Sequence, residues 1–342
     1  MAAPHVRPVE GLDSGSLAAL FAGHPFPPYR YLPGVERGDS ERYAAGVAAE
    51  VLAAEGAWKA VWEEKTGGSG SPMAGLAVYQ EQPWDSGVLS RRAGRVSLLD
   101  LRADLRRDRE RALAAARGLS AAVMERIRGE ADYVTARVDA RDVIVAVALQ
   151  EAGFQVIDGI VKFAFDLRDP IPAHTVAGFR MRPAHPGDLK ALVPIAETSF
   201  VYDRFHNDPA IPTAVADRLH GDWVTNAVEG RFGRGIVVAE SEEGEVAGFS
   251  MFTEDASSRE RLPFPVGIHT LLGVGASFRR KGLSKALFVE MMRRLRDLGN
   301  RFVESGTQIA NLPSFNMHLA VGYRPVQTSL SMRWDGRGPG PA

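Results

Sequence analysis

The sequence predicts an α/β (α+β) chain of two mixed-sheet units with flanking helices, and three observations lead there. Short β-prone runs alternate with longer amphipathic helical stretches throughout. At 342 residues the chain is long for one hydrophobic core. The order of elements in the first half returns in the second.

Residues 1–24 are rich in Ala, Gly and Pro with little periodicity, and read as a mobile N-terminus. Residues 25–33 gather prolines with Phe26, Tyr29 and Tyr31 into an irregular arm. Asp39 or Ser40 caps a helix that reaches Ala54, with Gly56 behind it. Residues 57–64 and 74–80 read as strands around a flexible GGSGS turn at 67–71. Gln82 to Gly87 breaks the pattern, and 94–101 resumes it as a strand. An Ala- and Arg-rich helix fills 107–128, followed by a strand at 132–138, a short helix at 142–151 and a strand or hairpin at 155–167. Two prolines without periodicity mark 169–178 as a linker. The expected domains are therefore 25–168 and 179–336, with a tail at 337–342.

The second half starts over. A strand at 179–182 leads to a helix from Asp188 to Thr198, then a polar and aromatic segment, Phe200 to Pro212. A helix bearing Trp223 runs to Val228, and a hairpin turns at Glu243-Gly244. Each half then closes with a strand, a long helix, another strand and a short helix ending in Gly-aromatic, Gly153-Phe154 or Gly322-Tyr323.

The most informative stretch lies in the second half. Ile268 to Val274 is an apolar strand, and Leu283, Leu287, Phe288, Met291, Met292, Leu295 and Leu298 recur at helical spacing up to Gly299. Between them stands Arg279-Arg280-Lys281-Gly282-Leu283-Ser284. A bend there aims several backbone N–H groups, and the positive end of the helix, at one spot, which suits a pyrophosphate. The equivalent loop of the first half, Leu101 to Glu110, has no glycine and three acidic residues. It suits no such anion.

Composition narrows the function classes. Lys+Arg number 41 against 42 Asp+Glu, a formal charge of -1, so no global field favours nucleic acid or an anionic membrane. The absence of cysteine excludes disulfides, thiolate metal sites and a cysteine nucleophile. The eight histidines show no metal-ligand spacing. No apolar run approaches a membrane span and no signal pattern opens the chain, so a cytoplasmic location is expected.

The strand, bend and helix resemble the signature of the GNAT superfamily of N-acetyltransferases, whose loop reads (Arg/Gln)-x-x-Gly-x-(Gly/Ala); here Arg279 and Gly282 match and Ser284 holds the last position. The resemblance implies two GNAT-like units, the first degenerate, with acetyl-CoA or another acyl-CoA bound by Val274, Arg279, Arg280, Lys281, Gly282, Leu283, Ser284 and Asn311. It implies a thioester attacked directly by a small-molecule amine. His318 takes the place of the family's thiolate-protonating tyrosine, and Leu149 stands there in the first half. His269 lies where many members hold a proton-relaying glutamate, although a buried structural histidine is the commoner outcome. Asp203, His206, Asp208 and Trp223 fall in the acceptor-binding region. Arg204 to Pro209, Trp223 to Asn226, Ala247-Gly248-Phe249 and Thr307 to Asn311, within residues 180–334, further resemble the dTDP-fucosamine acetyltransferase branch, which implies an amino-sugar acceptor. Two other readings remain open: a carrier-protein-bound donor or acceptor, and a CoA-binding scaffold without turnover.

Overall fold

A computed structural model describes residues 5–64, 73–231, 233 and 235–336. The GGSGS turn and the tail lie outside them. The chain divides into two compact units: Met1–Gly159 with Thr328–Ala342, and Ile160–Gln327.

Unit 1 contains β1 (His5–Pro8), α1 (Ser14–Phe21), α2 (Arg37–Ala53), β2 (Trp58–Glu63), β3 (Met73–Glu81), α3 (Pro83–Leu89), β4 (Ala93–Leu101), α4 (Arg109–Ile127), β5 (Tyr133–Asp139) and α5 (Val143–Glu151). The start of β6 (Gln155–Asp166) also belongs to it, but the pairing half of that strand lies in unit 2. Unit 2 continues with β7 (Phe179–Pro183), α6 (Leu189–Ser199), α7 (Thr213–Val228), β8 (Gly235–Ser241), β9 (Val246–Asp255), α8 (Ala256–Arg261), β10 (Val266–Val274), α9 (Leu283–Asp297), β11 (Phe302–Gln308) and α10 (Leu312–Val321). The last strand, β12 (Arg324–Asp335), pairs with β5 of unit 1.

The split therefore differs from the expected 25–168 and 179–336. Residues Ile160–Asp166 of β6 pair antiparallel with β11, while Ser329–Asp335 of β12 pair with β5. Each half of the chain lends its closing strand to the other unit. Alternation along a strand fixes which face is buried but not which neighbour it pairs with.

Residues 14–21, read as part of a mobile N-terminus, form helix α1. Asp13 caps α1 by accepting from the Ser16 N–H at 2.9 Å. Leu17, Leu20 and Phe21 then bury against Leu52 of α2 and Leu76 and Val78 of β3. Residues 82–87, expected to be irregular, start α3 with Pro83 in its first turn, where a missing N–H costs nothing.

Among the described residues one pair of strands in each unit runs parallel. In unit 1 it is β4 with β5, over Ala93↔Tyr133 to Val96↔Ala136. In unit 2 it is β10 with β11, over Val266↔Phe302 to His269↔Ser305. A bulge follows the fourth residue of β4 and of β10 alike, at Ser97 opposite β3 and at Thr270 opposite β9. The two halves are thus built on one plan down to the bulge.

Helix α9 buries Leu283, Ala286, Leu287, Phe288, Met291, Met292 and Leu295 under the sheet of unit 2. Each large side chain among them stabilises by about 1.5–3 kcal/mol relative to exposure. Gly248 allows the close approach beneath, since a Cβ there would lie 2.7 Å from the Gly273 carbonyl oxygen and 3.2 Å from Leu287 Cδ1. Gly248→Ala is expected to cost about 1–3 kcal/mol in urea unfolding. An unchanged midpoint would contradict this packing.

Candidate active site

Past His269 and Ser305 the two central strands of unit 2 part: β10 continues to Val274 and β11 to Gln308 without further pairing to each other. Gly275 donates its N–H across to Ala247 O of the β9 side at 2.9 Å. Successive residues point their N–H groups to opposite sides, so the Val274 N–H faces the gap. A backbone donor in such a gap is what an extended amide chain or a developing oxyanion requires.

The bend closes one end of this gap. Arg280 (φ +64°) and Gly282 (φ +86°) both adopt left-handed backbone, and α9 begins at Leu283. The first N–H groups of α9 have no intrahelical acceptors and lie at the positive end of the helix. Arg280, Lys281 and Gly282 are exposed, Ser284 is half-buried and the Leu283 side chain is buried in the core. Leu283 is therefore placed to offer only its backbone. Arg279, expected among the charges at the bend, is spent elsewhere: its Nε donates to Val274 O at 3.0 Å and Nη2 to Thr198 O at 3.2 Å. It ties the bend to β10 and α6. The side of Gly282 is covered by the linker residues His174 and Val176, with His174 Nε2 3.1 Å from Gly282 O.

Asn311 caps α10, its Oδ1 accepting from the Ser314 N–H at 3.1 Å. One turn on, His318 is fully buried and stacked on Phe163, with ring centroids 4.6 Å apart. Its Nδ1 lies 2.7 Å from Ser314 O and its Nε2 2.7 Å from Ser305 Oγ. His269, half-buried on β10, sets Nδ1 2.9 Å from the same Ser305 Oγ and Nε2 3.1 Å from Leu271 O. Burial lowers the pKa of both rings, that of His269 to about 3 with a further push from neighbouring His318. Both are neutral at ordinary pH. The family resemblance singled out the two histidines, but Ser305 joins them only through the fold. Nearby, the Tyr323 hydroxyl is buried without a partner among the described residues, and burial raises its pKa well above the usual value.

The loop between α6 and α7 holds the expected acceptor-side residues, mostly engaged with one another. Asp203 Oδ1 accepts from the Phe205 N–H, and Oδ2 lies 2.5 Å from His206 Nδ1. His206 Nε2 reaches Asp217 of α7 at 3.0 Å. Asp208 is buried, and Oδ1 accepts from the Ala210 N–H. Trp223 packs edge-on against Phe205 and His220. These bonds hold the loop on α7. Asp203, His206 and His220 also bring ligand-type atoms within 4.8 Å of one another, a grouping that sequence spacing did not show. Hydrogen bonds to Asp203 and Asp217 already fill both nitrogens of His206.

Burial opposes the charged form of His206, but the bonds to Asp217 and Asp203 outweigh it and raise the pKa. A raised folded pKa contributes stability that is full below the unfolded value, about 6.5, and fades as pH rises through the folded one. The stability gap between wild type and His206→Gln in urea is expected to be larger at pH 6 than at pH 9. An equal gap would contradict the charged staple.

In unit 1 the corresponding place is filled from within. Asp100 accepts from Arg106 at 2.7 Å and meets His24 at 2.8 Å, while Arg106 also bonds Asp142, the cap of α5. Beside this network lies a cavity of about 440 Å³ lined by Phe26, Arg106, Arg107, Arg109, Arg141 and Val143.

Comparison with known proteins bears on a sheet whose central strands part beside a glycine bend at a helix start. Residues 201–323 match the sequence model of the Acetyltransferase (GNAT) family. It is 24% identical over 261 residues to the spore coat polysaccharide biosynthesis protein SpsD of Bacillus subtilis, covering 75% of this chain and 83% of that protein. It is 29% identical over 163 residues to a mycothiol acetyltransferase of Propionibacterium freudenreichii, covering 47% of this chain and 48% of that relative. In fold it is similar to a GCN5-related N-acetyltransferase from Sphaerobacter thermophilus (TM-score 0.63, 16% identity, 98% of this chain and 97% of that one). It is also similar to a tandem GNAT protein from the clavulanic acid biosynthesis pathway (TM-score 0.56, 18% identity, 99% of this chain and 100% of that one). No helix among the described residues is long and apolar enough to cross a membrane.

Proposed function

We propose that unit 2 transfers an acetyl or other short acyl group from acyl-CoA to the amine of a small molecule, an amino sugar or a biosynthetic intermediate. The observation that carries this reading is the parting of β10 and β11 after His269↔Ser305, directly beside the glycine bend Arg280–Gly282. The N–H groups at the start of α9 receive the diphosphate, with Arg280 and Lys281 adding charge. The Val274 N–H faces the gap in which the pantetheine arm and the thioester lie. The donor supplies the activated acyl group. The chain's own residues orient it and manage the proton that the amine releases.

The loop held by Asp203, His206 and Asp208 shapes the acceptor side, and Trp223 supports it from α7. The polysaccharide context in the name of one relative supports an amino sugar, and the near-neutral charge supports a small acceptor over nucleic acid or membrane. Unit 1, with its gap filled by Asp100, Arg106 and Asp142, serves as scaffold.

A thiol-release assay with free acetyl-CoA over a panel of amines, amino sugars included, tests the reading. CoA release that depends on both protein and amine is the expected result. No release with any amine, or release only from a carrier-protein-bound thioester, would overturn it.

A further inference from the structure

We propose that His269, Ser305 and His318 form a relay for a single proton, in which the serine hydroxyl couples two imidazoles across the point where the strands part. The argument begins with counting hydrogens. The Ser314 carbonyl can only accept, so the proton of neutral His318 sits on Nδ1; by the same logic Leu271 O places the His269 proton on Nε2. Both remaining ring nitrogens are then lone pairs, and both face Ser305 Oγ, at 2.7 and 2.9 Å. The hydroxyl has one hydrogen for two acceptors. The trio is one proton short of complete bonding, and adding one completes it as N–H···O–H···N. The added proton can sit on either ring, the hydroxyl turning to donate to the other.

The second observation is internal to the chain. The fourth parallel pair is His269↔Ser305 in unit 2 and Val96↔Ala136 in unit 1. The residue four before the Gly-aromatic end of the short helix is His318 in one unit and Leu149 in the other. Val96, Ala136 and Leu149 are all buried. The same fold therefore accepts three apolar residues where unit 2 places three polar ones, two of them buried, and a polar trio left short of a hydrogen costs stability. The fold does not require it. All three positions are polar in the unit with the open gap and the phosphate bend, and all three apolar in the unit that lacks them.

Few other groups among the described residues bear on this proton. Phe163 and Phe288 wall the pair, and the facing titratable group among the described residues is the phenol of Tyr323, its ring 5.5 Å from His318. Glu304, next along β11, projects to the opposite face and pairs with Lys162 at 3.0 Å.

In the reaction, and here the inference rests on the proposed acyl transfer, attack of the amine on the thioester carbonyl forms the C–N bond and leaves a proton on nitrogen. That proton passes through water to the Ser305 hydroxyl oxygen as the hydroxyl's own hydrogen moves onto an imidazole lone pair. When the C–S bond breaks, the electron pair leaves on sulfur and the relay returns the proton to it. The trio ends as it began.

Imidazole ¹⁵N NMR of the free protein tests the relay without any donor or acceptor. Near neutral pH, His269 is expected as the Nε2–H tautomer and His318 as Nδ1–H, and on acidification both rings respond with one shared midpoint. Ser305→Ala is expected to separate the two midpoints, and Ser305→Thr, which keeps a hydroxyl, to preserve the shared one. In kinetics, the acidic limb of the kcat/KM profile is expected to move down by about one pH unit in Ser305→Ala and to stay in place in Ser305→Thr. Opposite tautomers, independent wild-type midpoints, or rings that stay neutral until the protein unfolds would overturn the relay. If the NMR result holds while no amine is acylated, the relay stands and the proposed function fails.

Discussion

Gly282→Asp is expected to abolish binding of acetyl-CoA while the protein stays folded. Gly282 immediately precedes α9 at φ +86°, a conformation that Asn and Asp tolerate better than other side-chain-bearing residues. A Cβ there meets first the Nε2 of His174, 3.1 Å away at the end of an exposed side chain that can give way. The helix start also tolerates a carboxylate. The change therefore acts on the ligand: a carboxylate beside a diphosphate weakens binding on the order of 100-fold or more. Gly282→Asn, the same shape without the charge, is the control and is expected to lose much less. Equal losses for Asp and Asn would mean that shape, not charge, matters at the bend. Unchanged affinity in both would remove the bend from the binding site.

The second large effect is expected at Phe288. This ring is fully buried in α9 and packs edge-on against His269 at 4.7 Å and His318 at 5.0 Å. Phe288→Ala would leave a cavity between the helix and the two histidines, at a cost of about 3–5 kcal/mol in urea unfolding. Turnover should fall further than the folded fraction accounts for, because the rings lose the wall that fixes them. A cost below about 1 kcal/mol would mean that the site collapses around the gap and that Phe288 does not set the geometry.

How far the sequence carried these conclusions follows from what is local. The bend Arg279–Ser284, helix α9 and the repeat of Gly-aromatic ends are local patterns, and all were legible in spacing alone. His318 and His269 stood out because they hold the positions where the family they resemble carries a tyrosine and a glutamate. Ser305 gave no such signal, since a serine in a strand is ordinary; its place between the rings depends on the β10–β11 register. The exchange of β6 and β12 was invisible for a related reason: strand alternation names a face, not a partner. The staple from Asp203 through His206 to Asp217 joins a loop to a helix eleven residues on, and Asp203 and His206 read singly resembled substrate contacts. Helix α1 was missed because eight residues, of which three are buried, give too short a stripe to show periodicity.

The central claim is that the start of α9 grips a diphosphate and so directs a thioester between β10 and β11. A crystal structure with coenzyme A bound tests it most directly. The account predicts diphosphate oxygens on the N–H groups of residues 281–284 and the pantetheine arm along Val274. Coenzyme A seated in unit 1, or a bend closed by His174 with the ligand elsewhere, would contradict it.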